Sequence, residues 1–163
     1  MAFVSINRSN YAAVAEIYKL GIAAGYATFE TEIPDFNTWD KKHLSYCRFA
    51  LKQNSKILGW GALSKVSDRN CYKGVAEVSV YVHPEAQGKT IGTQLLLKLI
   101  DESEKNGIWT LQGGIMEGNT ASLKLHKKCG FRTIGYREKI GCLNGQWKNK
   151  VILERRSKIV GMS

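Results

Sequence analysis

The chain has 163 residues and a formal net charge of +10, which fits one domain with room for a real core. No stretch approaches the roughly twenty apolar residues a membrane span needs, and MAFVSINRSNY lacks the basic-then-apolar pattern expected of a secretory leader. The basic excess fits either a solvated surface or an anionic partner: a nucleic acid, a polyanionic cofactor or an acidic surface.

In chain order, FVSI (3–6) reads as a short strand. Asn10 or Ser9 is placed to cap a helix over Tyr11–Gly21, with Ala13, Ile17 and Leu20 on one face. GYATFETEIPDFNTW reads as a long polar and aromatic loop, and Asp35 to Tyr46 as a second helix with Phe36, Trp39 and His43 on one side. RFALKQNSKILGWGALSKV is a hairpin turning at Gln53-Asn54-Ser55. AEVSVYV (76–82) alternates, with Glu77, Ser79 and Tyr81 on one face and Ala76, Val78, Val80 and Val82 on the other. Ile91 to Lys105 is a helix that turns Leu95, Leu96, Leu99 and Ile100 inward and stops at Asn106-Gly107. WTLQGGIM is a strand. Asn119 caps a helix that ends near Cys129-Gly130, and FRTIGYREKIG and QWKNKVILERR are two closing strands. The pattern predicts helices packed on a mixed sheet, one domain over 1–156 and a loose tail over 157–163.

The four cysteines, Cys47, Cys71, Cys129 and Cys142, form no CxxC pair, and no Cys/His cluster has zinc spacing. No metal site is expected; reduced, mostly buried thiols in the cytoplasm are.

The stretch YVHPEAQGKTIGTQLLLKLI (81–100) runs from strand through a glycine-bearing loop into an apolar helix. The first turn of a helix leaves N–H donors unpaired, and its dipole adds partial positive charge. Such a loop suits an anion, phosphate above all, unless it is a plain turn with glycine for tight packing. It has neither GxxxxGK[ST] nor GxGxxG.

Gln87-Gly88-Lys89-Thr90-Ile91-Gly92 resembles the Q/R-x-x-G-x-G/A motif of the GNAT-superfamily acetyltransferases, with Thr90 where the first motif glycine is expected. NTASLKLHKKCGF (119–131) resembles the family's N-x-x-S/A-x-x-L-Y-x-x-x-G-F, with His126 at the Tyr position. That histidine, SDRNCYKGVAEVSVYVHP, GYATFETE and NGQWKN resemble the phosphinothricin and methionine sulfoximine acetyltransferase branch, although Asn149 replaces an Asp of its G-x-W-x-D. The matches run from about residue 3 to 154. They imply a three-layer αβα fold of the α+β class, with a mixed sheet of six to seven strands, and acetyl-CoA as cofactor. They also imply that Tyr81, Val82, Gln87, Gly88, Lys89, Thr90, Ile91, Gly92, Thr93, Asn119 and Ser122 hold that cofactor. A homodimer is implied as well; Trp60, Trp109 and Trp147 are apolar candidates for its interface unless all three are core.

Acetyl transfer requires deprotonation of an amine, a donor for the developing oxyanion and stabilisation of the leaving thiolate. Glu77 suits the first task, unless it is a cross-strand ion pair. The resemblance implies the backbone N–H near Val82 for the second. His126 suits the third, unless it is a satisfied core histidine. Arg69 suits a bidentate clamp on a substrate carboxylate, with Tyr72 adding a hydroxyl, unless it is a solvated surface group. Phe29, Glu30 and Trp39 are expected to wall the acceptor pocket, although a core role suits Phe29 and Trp39 as well.

The resulting expectation is an N-acetyltransferase acting on the α-amine of a free amino acid or analogue. Competing readings are a GNAT enzyme for a protein N-terminus, lysine or polyamine, a basic nucleic-acid-binding protein, and a fold that binds CoA without catalysis. The charges are scattered, and no helix-turn-helix or RNP-like pattern appears, so no nucleic-acid partner is expected.

Overall fold

Strand alternation and leucine spacing resolve into one seven-stranded sheet of order β1-β2-β3-β4-β5-β7-β6. Its strands are β1 (Ala2–Ser5), β2 (Arg48–Gln53), β3 (Lys56–Lys65), β4 (Val75–Val82), β5 (Thr110–Met116), β6 (Arg132–Leu143) and β7 (Gln146–Arg156). Four helices flank it: α1 (Tyr11–Ala24), α2 (Phe36–Lys42), α3 (Ile91–Lys105) and α4 (Thr120–Lys128). These come from a computed structural model that describes residues 1–163.

The period-two alternation of the strands feeds two cores. Ala62 joins Trp60, Trp39 and the buried side of α1, while its neighbour Leu63 joins α3, Ala76 and Val78. Helices therefore cover both faces, as the three-layer expectation has it. Helix α3 has the predicted bounds because its apolar stripe is continuous: Leu95, Leu96 and Leu99 are fully buried. Each contributes about 1.5–3 kcal/mol by burial.

Four local expectations are revised. The buried face of α1 is Tyr11, Val14, Ile17 and Tyr18, and Ala13 is exposed, because two tyrosines bury their rings there. Helix α2 stops at Lys42, where the His43 backbone N–H and its Nδ1 both bond the Trp39 carbonyl, at 3.2 and 2.7 Å. Ser157 is anchored rather than loose. It is buried, its N–H donates to the Trp109 carbonyl at 2.8 Å and its Oγ to Glu104 at 2.9 Å. Only two of the thiols, Cys47 and Cys129, are buried; Cys71 and Cys142 are exposed.

All neighbouring strands run antiparallel except β4 and β5. That parallel pairing joins only Val75–Glu77 to Thr110–Gln112. Beyond it β4 stays on β3 as far as Val82, and β5 stays on β7 as far as Met116. The two strands diverge, and a slot opens through the middle of the sheet.

Candidate active site

The slot is edged by free donors. The His83 N–H donates to the Leu58 carbonyl on β3 at 2.8 Å. Backbone groups alternate sides along a strand, so the N–H groups of Val80 and Val82 face the other way, into the slot. No β5 residue pairs with them there.

A second set of donors lies just beyond β4. The chain makes one 3-10 turn at Pro84–Ala86 and enters α3 at Ile91. None of the amides from Gly88 to Thr93 has an acceptor within the chain. That row, at the positive end of a 15-residue helix, has the form of an anion cradle. Thr90 takes φ 63°, the left-handed conformation that a glycine would supply. Its Oγ1 accepts from Gln94 Nε2 at 3.1 Å. Substituting threonine therefore leaves the loop's shape intact, with backbone strain of about 1–2 kcal/mol. Gly92 faces α4, and a Cβ there would lie 3.0 Å from Leu125 Cδ2. The cradle opens on a cleft of about 500 Å³ between the loop, α1 and α4.

A cavity of about 250 Å³ adjoins the cleft and shares Val80, Tyr81, Asn119 and Ser122 with it. Glu77 is half-buried in its wall, and its carboxylate accepts from Gln112 Nε2 at 3.3 Å. No Lys or Arg pairs with it, so the ion-pair alternative falls away. Trp60 stacks on Tyr81 with ring centroids 4.8 Å apart, which gives the cavity an aromatic side. Burial raises the Tyr81 hydroxyl pKa above its ordinary value.

Two imidazoles line the same cavity. His126 is buried at 4% exposure, and its Nδ1 lies 2.8 Å from the Ser122 carbonyl. A carbonyl only accepts, so Nδ1 carries the proton and Nε2 presents a lone pair. A Cβ on Gly113 would lie 3.4 Å from that Nε2, which places the ring against the β5 edge of the slot. Burial holds the His126 pKa below its ordinary value. His43 repeats the arrangement with the Trp39 carbonyl at 2.7 Å, and burial lowers its pKa to about 4. Both rings are neutral at pH 7. Glu77 shares a sheet face with Gln112, whereas His126 sits over Gly113, on the other face. Glu77 and His126 thus reach the slot from opposite sides.

The structure brings most of the expected residues together. Glu77, Phe29, Glu30 and His126 line the cavity, and Tyr81, Asn119 and Ser122 line both spaces. Val82, Gln87, Gly88, Thr90, Ile91, Gly92 and Thr93 line the cleft, but Lys89 does not. Its side chain is exposed beyond the left-handed Gly88. Arg69 and Tyr72 are also absent from both spaces. They belong to an exposed loop ahead of β4, where the Arg69 guanidinium lies 5.5 Å from the Tyr72 ring centroid. Trp39 is a core residue at 1% exposure and does not line the cavity; Trp60, equally buried, backs its wall. Asn149 does not line the cavity. Its Oδ1 accepts from the Lys139 N–H at 2.8 Å, and its Nδ2 donates to Glu117 at 2.8 Å. An Asp could not donate to Glu117, so Asn here has a structural role. Sequence reasoning missed His43 and Lys150, although the Gly113-Gly114 pair inside a strand signals a close approach to β5.

The pattern described as the acetyltransferase (GNAT) family matches residues 5–131. The chain is 33% identical to phosphinothricin N-acetyltransferase of Alcaligenes faecalis over 88% of its own length and 76% of that protein's. It is 28% identical to the L-methionine sulfoximine/L-methionine sulfone acetyltransferase of Salmonella typhimurium, covering 91% and 90% of the two chains. Among solved structures it is similar to the Salmonella typhimurium acetyltransferase yncA with its cofactor acetyl-CoA, at TM-score 0.86 and 25% identity, over 95% and 92% of the two chains.

Proposed function

The chain belongs to the GNAT acetyltransferase family, whose acetyl donor is acetyl-CoA, and from that premise we propose that it acetylates the α-amino group of a free amino acid or amino-acid analogue. One observation carries this reading: a slot through the sheet has an anion cradle on one side and an unpaired carboxylate, Glu77, on the other. The amides from Gly88 to Thr93 suit a pyrophosphate, and the apolar walls of Ala121 and Leu125 suit a linear chain leading to the slot.

When bound, acetyl-CoA supplies an activated acetyl group as a thioester. Glu77 takes the proton that the amine must lose before it can attack. The Val80 and Val82 N–H groups donate to the oxygen on which negative charge develops. His126 Nε2, as a lone-pair carrier, takes the second proton, which the nitrogen sheds once the C–N bond has formed, and passes it to the sulfur as the C–S bond breaks. This refines the expected role: the resting imidazole relays a proton to the leaving sulfur rather than holding one ready. The relatives' substrates, phosphinothricin and methionine sulfoximine, are themselves amino-acid analogues, which supports an acceptor of that class. The test is a panel of amino acids, their amides and their decarboxylated amines, followed by thiol release. Free amino acids are expected to lead; equal kcat/KM for the simple amines would return the acceptor to the peptide or polyamine class.

The same reading includes a cytoplasmic homodimer. Exposed Cys71 and Cys142 suit a reducing compartment. Of the three tryptophans considered for an interface, Trp60 is core and only Trp147 is well exposed, beside Ile134, Tyr136 and Ile140 on the β6–β7 hairpin. Light scattering that gives only a monomer mass at micromolar concentration would remove the dimer.

A further inference from the structure

The cavity contains two opposite charges that do not pair. Glu77 has no cation within ion-pair distance, and Lys150 has no carboxylate. The other charged residues lining it, Lys42 and Glu30, bond each other at 3.3 Å. Lys150 lies on β7 opposite Met116, and its chain runs back along β5. Its stem lies on Gly114, where any side chain would collide with Lys150 Cε, and its ammonium is 5.9 Å from the Phe29 ring centroid. Lys150 is half-buried, and its ammonium has no anion partner within the chain.

We infer that Lys150 receives the carboxylate of the acceptor, so that the cavity is complementary to a zwitterion. Glu77 takes the ammonium end and Lys150 the carboxylate end. This rests on the amino-acid reading proposed above and supplies the clamp that Arg69, outside the cavity, does not provide within this chain. The spacing agrees. The Glu77 carboxylate touches Gln112 and the Lys150 stem lies on Gly114, positions of one sheet face that are a two-residue step of about 6–7 Å apart along β5. An α-amino acid bridges such a gap with roughly 3 Å between its amine and carboxylate and a hydrogen bond of about 3 Å at each end, set at an angle. Phe29, half-buried in the wall, leaves apolar surface for the side chain. The ligand class is therefore a free α-amino acid with a modest side chain rather than a peptide N-terminus, which carries an amide where Lys150 needs a carboxylate.

The test compares an amino acid with its amide in the wild type, Lys150→Met and Lys150→Arg, with melting temperature and CoA affinity as controls. Lys150→Met keeps the stem on Gly114 and removes the charge. It is expected to lower kcat/KM for the amino acid by roughly ten- to a hundredfold, through KM, and to leave the amide within about twofold. Lys150→Arg keeps the charge and is expected to restore part of the preference. If the wild type prefers the amino acid and Lys150→Met retains that preference, the Lys150 assignment is overturned while the amino-acid reading stands. The Lys150 assignment is likewise overturned if Arg69→Ala, and not Lys150→Met, carries the selective loss. If the wild type shows no preference for the carboxylate, both fall together. An equal fall for both acceptors assigns Lys150 a structural role and also overturns the proposal.

Discussion

The cleft and the cavity share a slot but are built from different materials. The cleft presents main-chain N–H groups of the Gly88–Thr93 loop and β4. The cavity presents side chains drawn from several elements and loops, among them Glu77, His126, His43 and Lys150. A main-chain site depends on backbone conformation and tolerates substitution, which is why Thr90 serves in place of glycine. A side-chain site depends on identity, charge and what packs behind each group.

The sharpest break of this contrast is Glu77→Gln. It is nearly isosteric and keeps the contact with Gln112, yet kcat is expected to fall by about 10²–10⁴ and its rise with pH to flatten, while CoA affinity holds. A pH–rate profile with a separate CoA titration reads both. An unchanged kcat would move the base elsewhere in the cavity.

Acid probes the same side of the slot. His43 is neutral in the fold, its pKa lowered to about 4 by burial, whereas in the unfolded chain it protonates near 6.5. The unfolded state therefore binds more protons between those values. The His43 contribution is complete above about pH 6.5 and is lost as pH falls toward 4, on the order of 2–3 kcal/mol. The lowered pKa of His126 acts in the same direction. Chemical denaturation at pH 7 and pH 4.5 measures the loss, and His43→Gln is expected to reduce it.

Gly92→Asp strikes the cleft instead. It adds negative charge at the cradle and a Cβ 3.0 Å from Leu125. CoA binding is expected to weaken by about 1–2 kcal/mol, or roughly tenfold, with the KM for the acceptor little changed. Calorimetric titration of CoA checks it.

The smallest effect is expected from Thr90→Gly. Relief of left-handed strain worth about 1–2 kcal/mol is offset by glycine's unfolded-state entropy of about 0.5–1, so stability rises by about 1 kcal/mol or less. CoA affinity is expected to stay within about threefold. A large loss of affinity would show that the threonine side chain, and not the amide row, matters.

The same contrast explains what the sequence revealed. Helix α3 was legible to the residue because Leu95, Leu96, Leu99 and Asn106-Gly107 are all local signals. The cradle was legible as a strand, a loop and a helix start. The cavity was legible only in part. Glu77 and His126 stood out, whereas Arg69 lies ahead of β4 and outside the cavity of its own chain, and its distance from that strand in sequence does not show which end of the strand faces the cavity. Trp39 and Trp60 both pack into one core cluster, and sequence alone does not show which of two buried indoles reaches a cavity. Lys150 was hidden, since its position depends on the β5–β7 register and on Gly114, both set by pairing between distant segments.

The short seam between β4 and β5 also divides the sheet for unfolding. Strands β1 to β4 form one antiparallel block and β5 to β7 another, joined by backbone only along the short stretch from Gly74–Glu77 to Trp109–Gln112. Helix α3 and its leucines span the joint from one face. Such a boundary opens at lower free energy than the blocks on either side. Seam amides are therefore expected to exchange with solvent deuterium ahead of those in β3 and β7, and a ligand lying through the slot would slow them by tying the two blocks together.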